Sequence, residues 1–164
     1  MKTALSIIAL CLSAACGGSS VASMADTGGP ASLPVSPAPD QTFAGMLNNV
    51  RSSNGAAPVT YDSRLGRAAQ GHANDMLRNN FFSHTGSDGS NAGQRIRREG
   101  YDPRAWGENI ARGQQNEQTV LQAWVNSPGH QANNVNPNFE DFALAKAGSG
   151  SQLYWVLVLA SERP

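Results

Sequence analysis

Three histidines carry most of the chemistry available to this sequence, and their settings differ. His84 closes the run NNFFSHTGSDG, where Phe81 and Phe82 can anchor the segment inward while Ser, Thr and Gly leave the imidazole on irregular, accessible backbone. His130 sits in WVNSPGHQANN, just past a helix that Pro128 and Gly129 stop, where a chain reversal can point its ring into a cleft. Glu108, in WGENIARG, stands between an expected turn at Gly107 and an apolar strand beginning at Ile110. A carboxylate there is either solvated at a strand end or turned inward and paired with a cation. His72 falls on an apolar helical stripe and reads as a core histidine hydrogen-bonded to its neighbours, outside the site.

Two imidazoles and a carboxylate suit three kinds of chemistry: ligation of a divalent metal, orientation of a general base, or a polar cluster that braces loops. Spacings of about twenty residues between them are too long for a local metal motif. Ser127 precedes His130 across Pro128 and Gly129 and offers a hydroxyl, but no G-x-S-x-G elbow surrounds it. Phosphate loops, G-x-G-x-x-G, paired CxxC and H-E-x-x-H are all absent from the sequence, which removes many enzyme classes.

Positioning such residues requires a scaffold, and the periodicity supplies one. Phe43, Met46, Leu47 and Val50 mark one face of a first helix, capped by Asp40 or Thr42 and ended by Gly55 and Pro58. A second helix follows Asp62 and Ser63, with Leu65, Ala68, Ala69, His72, Met76 and Leu77 along one face. A short third spans Ala92 to Arg98 before Gly100; a fourth runs from Glu117 to Asn126 with Val120, Leu121 and Trp124 inward. The period then changes to two: 139–147 and 153–161 read as strands of an antiparallel hairpin joined by Gly-Ser-Gly-Ser, with 108–112 as a third.

The chain has 164 residues, 40% hydrophobic, which suits one modest domain. Twelve basic residues balance twelve acidic ones, so no global field draws it to nucleic acid. Lys2 and the apolar run from Ala4 to Ala15 form an export signal, 1–15, too short to span a bilayer permanently. The sequence LSAAC places small residues before Cys16, as in a bacterial lipoprotein signal, although the aliphatic Leu12 lies one position further from Cys16 than that pattern asks. Cys16 is then the lipidated N-terminus, with plain secretion after Ala15 or Ala25 as the alternative. The Gly, Ser, Ala and Pro of 16–40 read as a flexible tether, and 41–164 as the domain, which contains no cysteine to pair.

Taken in order, LNNVRSSNGAAPVTYDSRLGRAAQGHANDM, NNFFSHTGSDG, RIRREGY, GENIARG, AWVNSPGHQANNVNPNFEDFALA and LYWVLVLA resemble the CAP superfamily in its compact bacterial form, also called the SCP domain. Its name comes from cysteine-rich secretory proteins, antigen 5 and pathogenesis-related 1 proteins. The resemblance runs from Phe43 to about Leu159 and implies an α+β fold: a three-layer α-β-α sandwich with a small antiparallel sheet. It also implies a cleft holding His84, Glu108 and His130. Ser127 stands where animal and plant members carry a second Glu, which weakens the metal site expected of His84, His130 and Glu108 toward zinc or a similar ion. The function implied is an extracytoplasmic, lipid-anchored binding module whose cleft of His84, Glu108, Ser127 and His130 takes a small amphipathic, sterol, lipid or cell-wall ligand. A hydrolase using His130 as base with Glu108 and His84, or a structural envelope protein, are the alternatives. The partners expected are the membrane, through Cys16, and such a ligand; nucleic acid is not, and the chain is expected to be a monomer.

Overall fold

A computed structural model describes residues 42–164. The expected signal over 1–15, the lipid site at Cys16 and the tether over 16–40 lie outside the described residues. Helix α1, Phe43–Ser53, starts at Thr42, whose hydroxyl accepts the amide of Gly45. In α2, Ser63–Asn79, Asp62 caps the amides of Arg64 and Leu65. A reciprocal capping box of Asn91 and Gln94 opens α3, Ala92–Arg98, and Asn116 with Thr119 does the same for α4, Glu117–Val125. The remaining helix, α5, spans Pro128–Asn134.

Four strands, β1 (Thr60–Tyr61), β2 (Pro103–Arg112), β3 (Asp141–Ala147) and β4 (Tyr154–Glu162), form one sheet in the order β1-β3-β4-β2. β4 is buried along nearly its whole length because helices cover both faces. Its Trp155, Leu157 and Leu159 pack with Phe43, Leu47, Leu121 and Trp124 of α1 and α4. On the other face Tyr154, Val156, Val158 and Ala160 pack with Leu65, Ala69, Met76 and Ile96 of α2 and α3. The result is the expected α-β-α sandwich, with the alternation of each strand dividing its side chains between two cores. Among the described residues no helix is long and apolar enough to cross a membrane.

Several boundaries differ from those the periodicity predicts. Pro128 ends α4 but also begins α5, because a helix does not use its first amide and the fixed φ of proline suits that position. β1 is parallel to β3, so the sheet is not wholly antiparallel, and with two residues it is too short to leave an alternation in the sequence. β2 begins five residues before Glu108, at Pro103, through a segment whose Pro103 and Gly107 read as turn residues in the sequence. In the turn between β3 and β4, a 3-10 segment covers Gly150–Gln152. Gly148, at φ +91°, is required there, since a Cβ would lie 2.1 Å from the carbonyl oxygen of Gln152.

One polar residue holds the end of this sandwich. Arg51, on α1, is fully buried and has no carboxylate partner among the described residues; its guanidinium donates to the carbonyls of Ala57 (2.7 Å), Asn134 (2.8 Å), Asn136 (3.2 Å) and Phe139 (3.0 Å). Burial lowers its pKa from the usual arginine value. Carbonyl dipoles at the C-terminus of α5 offset the buried charge, as a cation near a helix C-terminus should. Arg51→Met keeps most of the volume but leaves these carbonyls without donors, and is expected to cost about 3 kcal/mol or more by urea denaturation. A loss under about 1 kcal/mol would mean water replaces the guanidinium freely.

Candidate functional site

Adjacent residues of β2 face opposite layers, and this sorts the site. Glu108 points with Ile110 toward α2 and α3, and its side chain is only 3% exposed. Two elements supply its partners. Arg95 of α3 donates from Nη2 to Oε2 at 2.7 Å, and His84, on the loop after α2, approaches Oε1 with Nδ1 at 2.8 Å. Both carboxylate oxygens are therefore engaged. The same guanidinium donates to the carbonyls of Ser90 (2.7 Å) and His84 (3.1 Å), so it binds the loop to the carboxylate. Asp75 of α2 fixes that loop from below, accepting the amide of Ser87 at 2.8 Å and its hydroxyl at 2.6 Å.

The dyad has a defined tautomer. A carboxylate accepts, so His84 donates from Nδ1 and its Nε2 is left toward the cleft. His84 is 57% exposed, yet its orientation is fixed. Beneath it lies His72, whose Nε2 donates to the carbonyl of Ser83 at 2.9 Å and stands 4.0 Å from Glu108. The backbone bond confirms the expectation of a core histidine. Its position 4.0 Å from Glu108, which sequence reasoning did not foresee, sets it behind the carboxylate and out of solvent.

The opposite face of β2 positions α5. Asn109 is fully buried and donates to the carbonyl of His130 (3.1 Å) and the side-chain oxygen of Asn134 (2.9 Å). Asn133 donates back to the side chain of Asn109 (2.8 Å) and to the carbonyl of Glu108 (3.3 Å). Together these bonds fix the backbone of His130. Its ring makes no hydrogen bond with any described residue, nor does the Ser127 hydroxyl. Burial, and then the neighbouring His84, lower the pKa of His130 below the ordinary histidine value.

The predicted site residues thus divide between two hollows along β2. One, about 380 Å³, is lined by His84, Thr85, Asn91, Trp106, Glu108 and Asn133. The other, about 350 Å³, is more apolar and is lined by Phe82, Ile110, Arg112, Trp124, Ser127 and His130. Phe81 anchors the loop inward as expected, but Phe82 is 48% exposed and forms part of the second hollow instead. Among the described residues no three of His, Cys, Asp and Glu are arranged to hold a metal ion. With both oxygens held by Arg95 and His84, Glu108 is not free as a direct ligand, and of the expected metal set His84 and His130 keep unengaged ring nitrogens.

Sequence reasoning missed Arg95, although it lies one turn after Ala92 and beside Ile96, both buried on α3, where an inward cation was legible. It also missed Trp106 and the asparagine bridge, whose members Asn109, Asn133 and Asn134 meet only once β2 and α5 pack together.

Acid sensitivity follows from His72. Burial lowers its pKa, Glu108 and Asp75 oppose this, Arg95 adds to it, and its Nδ1 has no partner. A histidine with a lowered folded pKa contributes stability that is present above the unfolded value, about 6.5, and lost as pH falls through it toward the lower folded value. His72→Gln retains an amide donor for Ser83 and removes the titration. Urea midpoints of the parent should fall between about pH 6.5 and pH 5, and those of His72→Gln should fall less; equal slopes would remove His72 as the cause.

The cysteine-rich secretory protein family, CAP, matches residues 44–159. YkwD, an uncharacterised protein of Bacillus subtilis, is 33% identical over 106 residues, covering 65% of this chain and 41% of that protein. An extracellular protein of Bacillus anthracis containing an SCP domain, solved by crystallography, is 27% identical with a TM-score of 0.68, covering 74% of this chain and 40% of that one. An outer surface protein of Borrelia burgdorferi shares the fold at 19% identity and a TM-score of 0.66, covering 74% of this chain and 90% of its own. The chain spans about two fifths of the length of the two Bacillus proteins. A single family match across both cores and both hollows, with the same sandwich in solved relatives, makes this chain a member of the CAP family.

Proposed function

We propose that this chain is an exported CAP domain that binds a small amphipathic or cell-envelope ligand in the cleft between His84, Glu108, Ser127 and His130. The observation that carries the reading is the engagement of Glu108 on both oxygens, beside one polar and one apolar hollow. A carboxylate held this way orients and neutralises; it is not free to take a proton from substrate. An amphipathic molecule can place its polar end against His84 and its apolar part against Ile110, Phe82 and Trp124. Export is supported by the 1–15 signal and by the extracellular Bacillus anthracis relative. Cys16 then serves as the anchor, and 16–40 as the tether above the membrane.

One observation favours hydrolysis as a second reading. Glu108 holds His84 in the tautomer that a general base requires, with Nε2 outward. In this reading His84 takes the place of the expected base His130, because among the described residues no carboxylate acts on the His130 ring. Ser127 is not hydrogen-bonded to an imidazole, so the nucleophile would be water.

Thermal shift with envelope lipid extracts and solubilised wall fragments tests the binding reading. Ligand is expected to raise the melting temperature of the parent and not of His84→Ala or His130→Ala. Without ligand, His130→Ala should cost less than about 1 kcal/mol, and His84→Ala about 1–2 kcal/mol because one oxygen of Glu108 loses its donor. Equal ligand shifts in all three proteins would place binding elsewhere, and turnover of peptide or ester substrate lost in His84→Ala would favour the second reading. For the anchor, Cys16→Ser should move the chain from the detergent phase to the aqueous phase, since acyl chains contribute about 0.8 kcal/mol per buried CH₂ and this tether has no polybasic patch. Unchanged partitioning would remove the lipid from the proposal.

A further inference from the structure

The polar hollow combines an exposed aromatic ring with unengaged hydrogen-bonding groups of both kinds. Trp106 is 42% exposed, whereas Trp124 and Trp155 are buried at 1% and 0%. Its indole rests on α3 at Gly93, where a Cβ would lie 2.5 Å from Nε1, so the missing side chain at 93 is what admits the ring. Around it, Asn133 must turn its amide nitrogen toward two acceptors, the side-chain oxygen of Asn109 and the carbonyl of Glu108. This leaves Asn133 Oδ1 as a free acceptor. His84 presents Nε2, also an acceptor, because Nδ1 donates to Glu108. Asn91 uses Oδ1 to cap Gln94 and leaves Nδ2 as a donor, and the Thr85 hydroxyl can act as either.

No unpaired carboxylate or guanidinium lines this space, because Arg95 neutralises Glu108. An anion or cation would find no counter-charge. What fits is a neutral ligand with an apolar face to lie on an indole and a rim of groups that both donate and accept. A pyranose ring has that chemistry: axial C–H bonds on its faces and hydroxyls on its edge. The hollow, about 380 Å³, is large enough for a hexose ring and its substituents. We infer that the polar half of the cleft is a sugar subsite, with Trp106 as the stacking platform and Asn91, Asn133, Thr85 and His84 as its hydrogen-bonding rim. This rests on the proposed binding role of the cleft and specifies the ligand class for its polar half.

The test is a tryptophan-fluorescence titration of the full chain with two neutral oligosaccharides, the β-1,4 tetramer of N-acetylglucosamine and maltotetraose. A saturable change with either supports the subsite, and a preference for the acetylated tetramer would identify the acetamido group as part of what the rim reads. Calorimetry, which does not need the reporter ring, should then show affinity lowered at least about tenfold in Trp106→Ala, a difference of about 1.4 kcal/mol. Gly93→Ala should weaken binding similarly by displacing the indole while all four rim residues remain. Tyr61→Ala, an exposed aromatic outside the cleft, should leave affinity unchanged. Equal affinity in Trp106→Ala, or no saturable response to either sugar, overturns the subsite. In the second case, an envelope lipid that still shifts the parent and not His130→Ala retains the cleft as a binding site and removes the sugar alone, whereas silence in both screens removes both.

Discussion

A carboxylate at 3% exposure has given up its water and needs cations and donors in its place, and Glu108 imposes that condition on three other elements. Arg95 must arrive from α3, so α3 has to lie over β2, and its capping box at Asn91 and Gln94 sets where it begins. The loop carrying His84 must fold back over the same carboxylate, which Asp75 and the second arm of the guanidinium bring about. His72, on α2, stands behind the carboxylate. The consequence is an exposed imidazole with a fixed orientation, held by what lies beneath it and not by its own burial. Such support from below is how a loop residue acquires the precision of one on a rigid element.

The next residue along the strand does the equivalent work for the other layer. Asn109 points toward α5 and, with Asn133 and Asn134, ties that helix to β2 by amide pairs. Arg51 then fastens the far end of α5 to α1. Gly107 completes the arrangement by having no side chain: a Cβ there would lie 3.0 Å from the Phe139 ring and 3.1 Å from Asn133 Oδ1. The short run Gly107, Glu108, Asn109 therefore organises both faces of an edge strand, because the period of two sends neighbours to opposite layers. Both hollows draw walls from the two layers: Asn133 of α5 reaches the one at Glu108, and Phe82 and Ile110 reach the one at His130.

How far the sequence revealed this depended on whether a signal was local. Helices α1 to α4 were legible because caps and stripes sit within each segment: Thr42, Asp62 and the 92–98 span all matched. β1 was not, since its two residues acquire strand geometry only from pairing with β3. α5 was missed because Pro-Gly reads as a stop, and its stability comes from Asn109 and Arg51, distant in the chain. Glu108 left two readings open for the same reason; its counter-ion stands on another helix. Phe82 and Phe81 are adjacent and alike in type, and only the packing of the loop decides that Phe81 goes in and Phe82 stays out. The resemblance to the family brought the right segments together but did not identify Arg95 as the partner that makes Glu108 internally neutral.

That neutrality changes what kind of selectivity the cleft can have. A centre with an uncompensated carboxylate or metal chooses ligands first by charge, whereas a paired one exerts little field beyond its own hydrogen bonds. For the proposed ligand, discrimination would fall to shape, apolar contact and the match of donors to acceptors, which differ between the two hollows: Trp106 with amides and an imidazole on one side, Phe82, Ile110 and Trp124 on the other. Ile110 and Trp124 also belong to the two cores, whereas Thr85, Phe82 and Trp106 lie on loop or exposed strand edge, where substitution is tolerated without loss of either core. The sandwich persists in relatives of low identity, so the fold by itself does not specify what the proposed cleft holds.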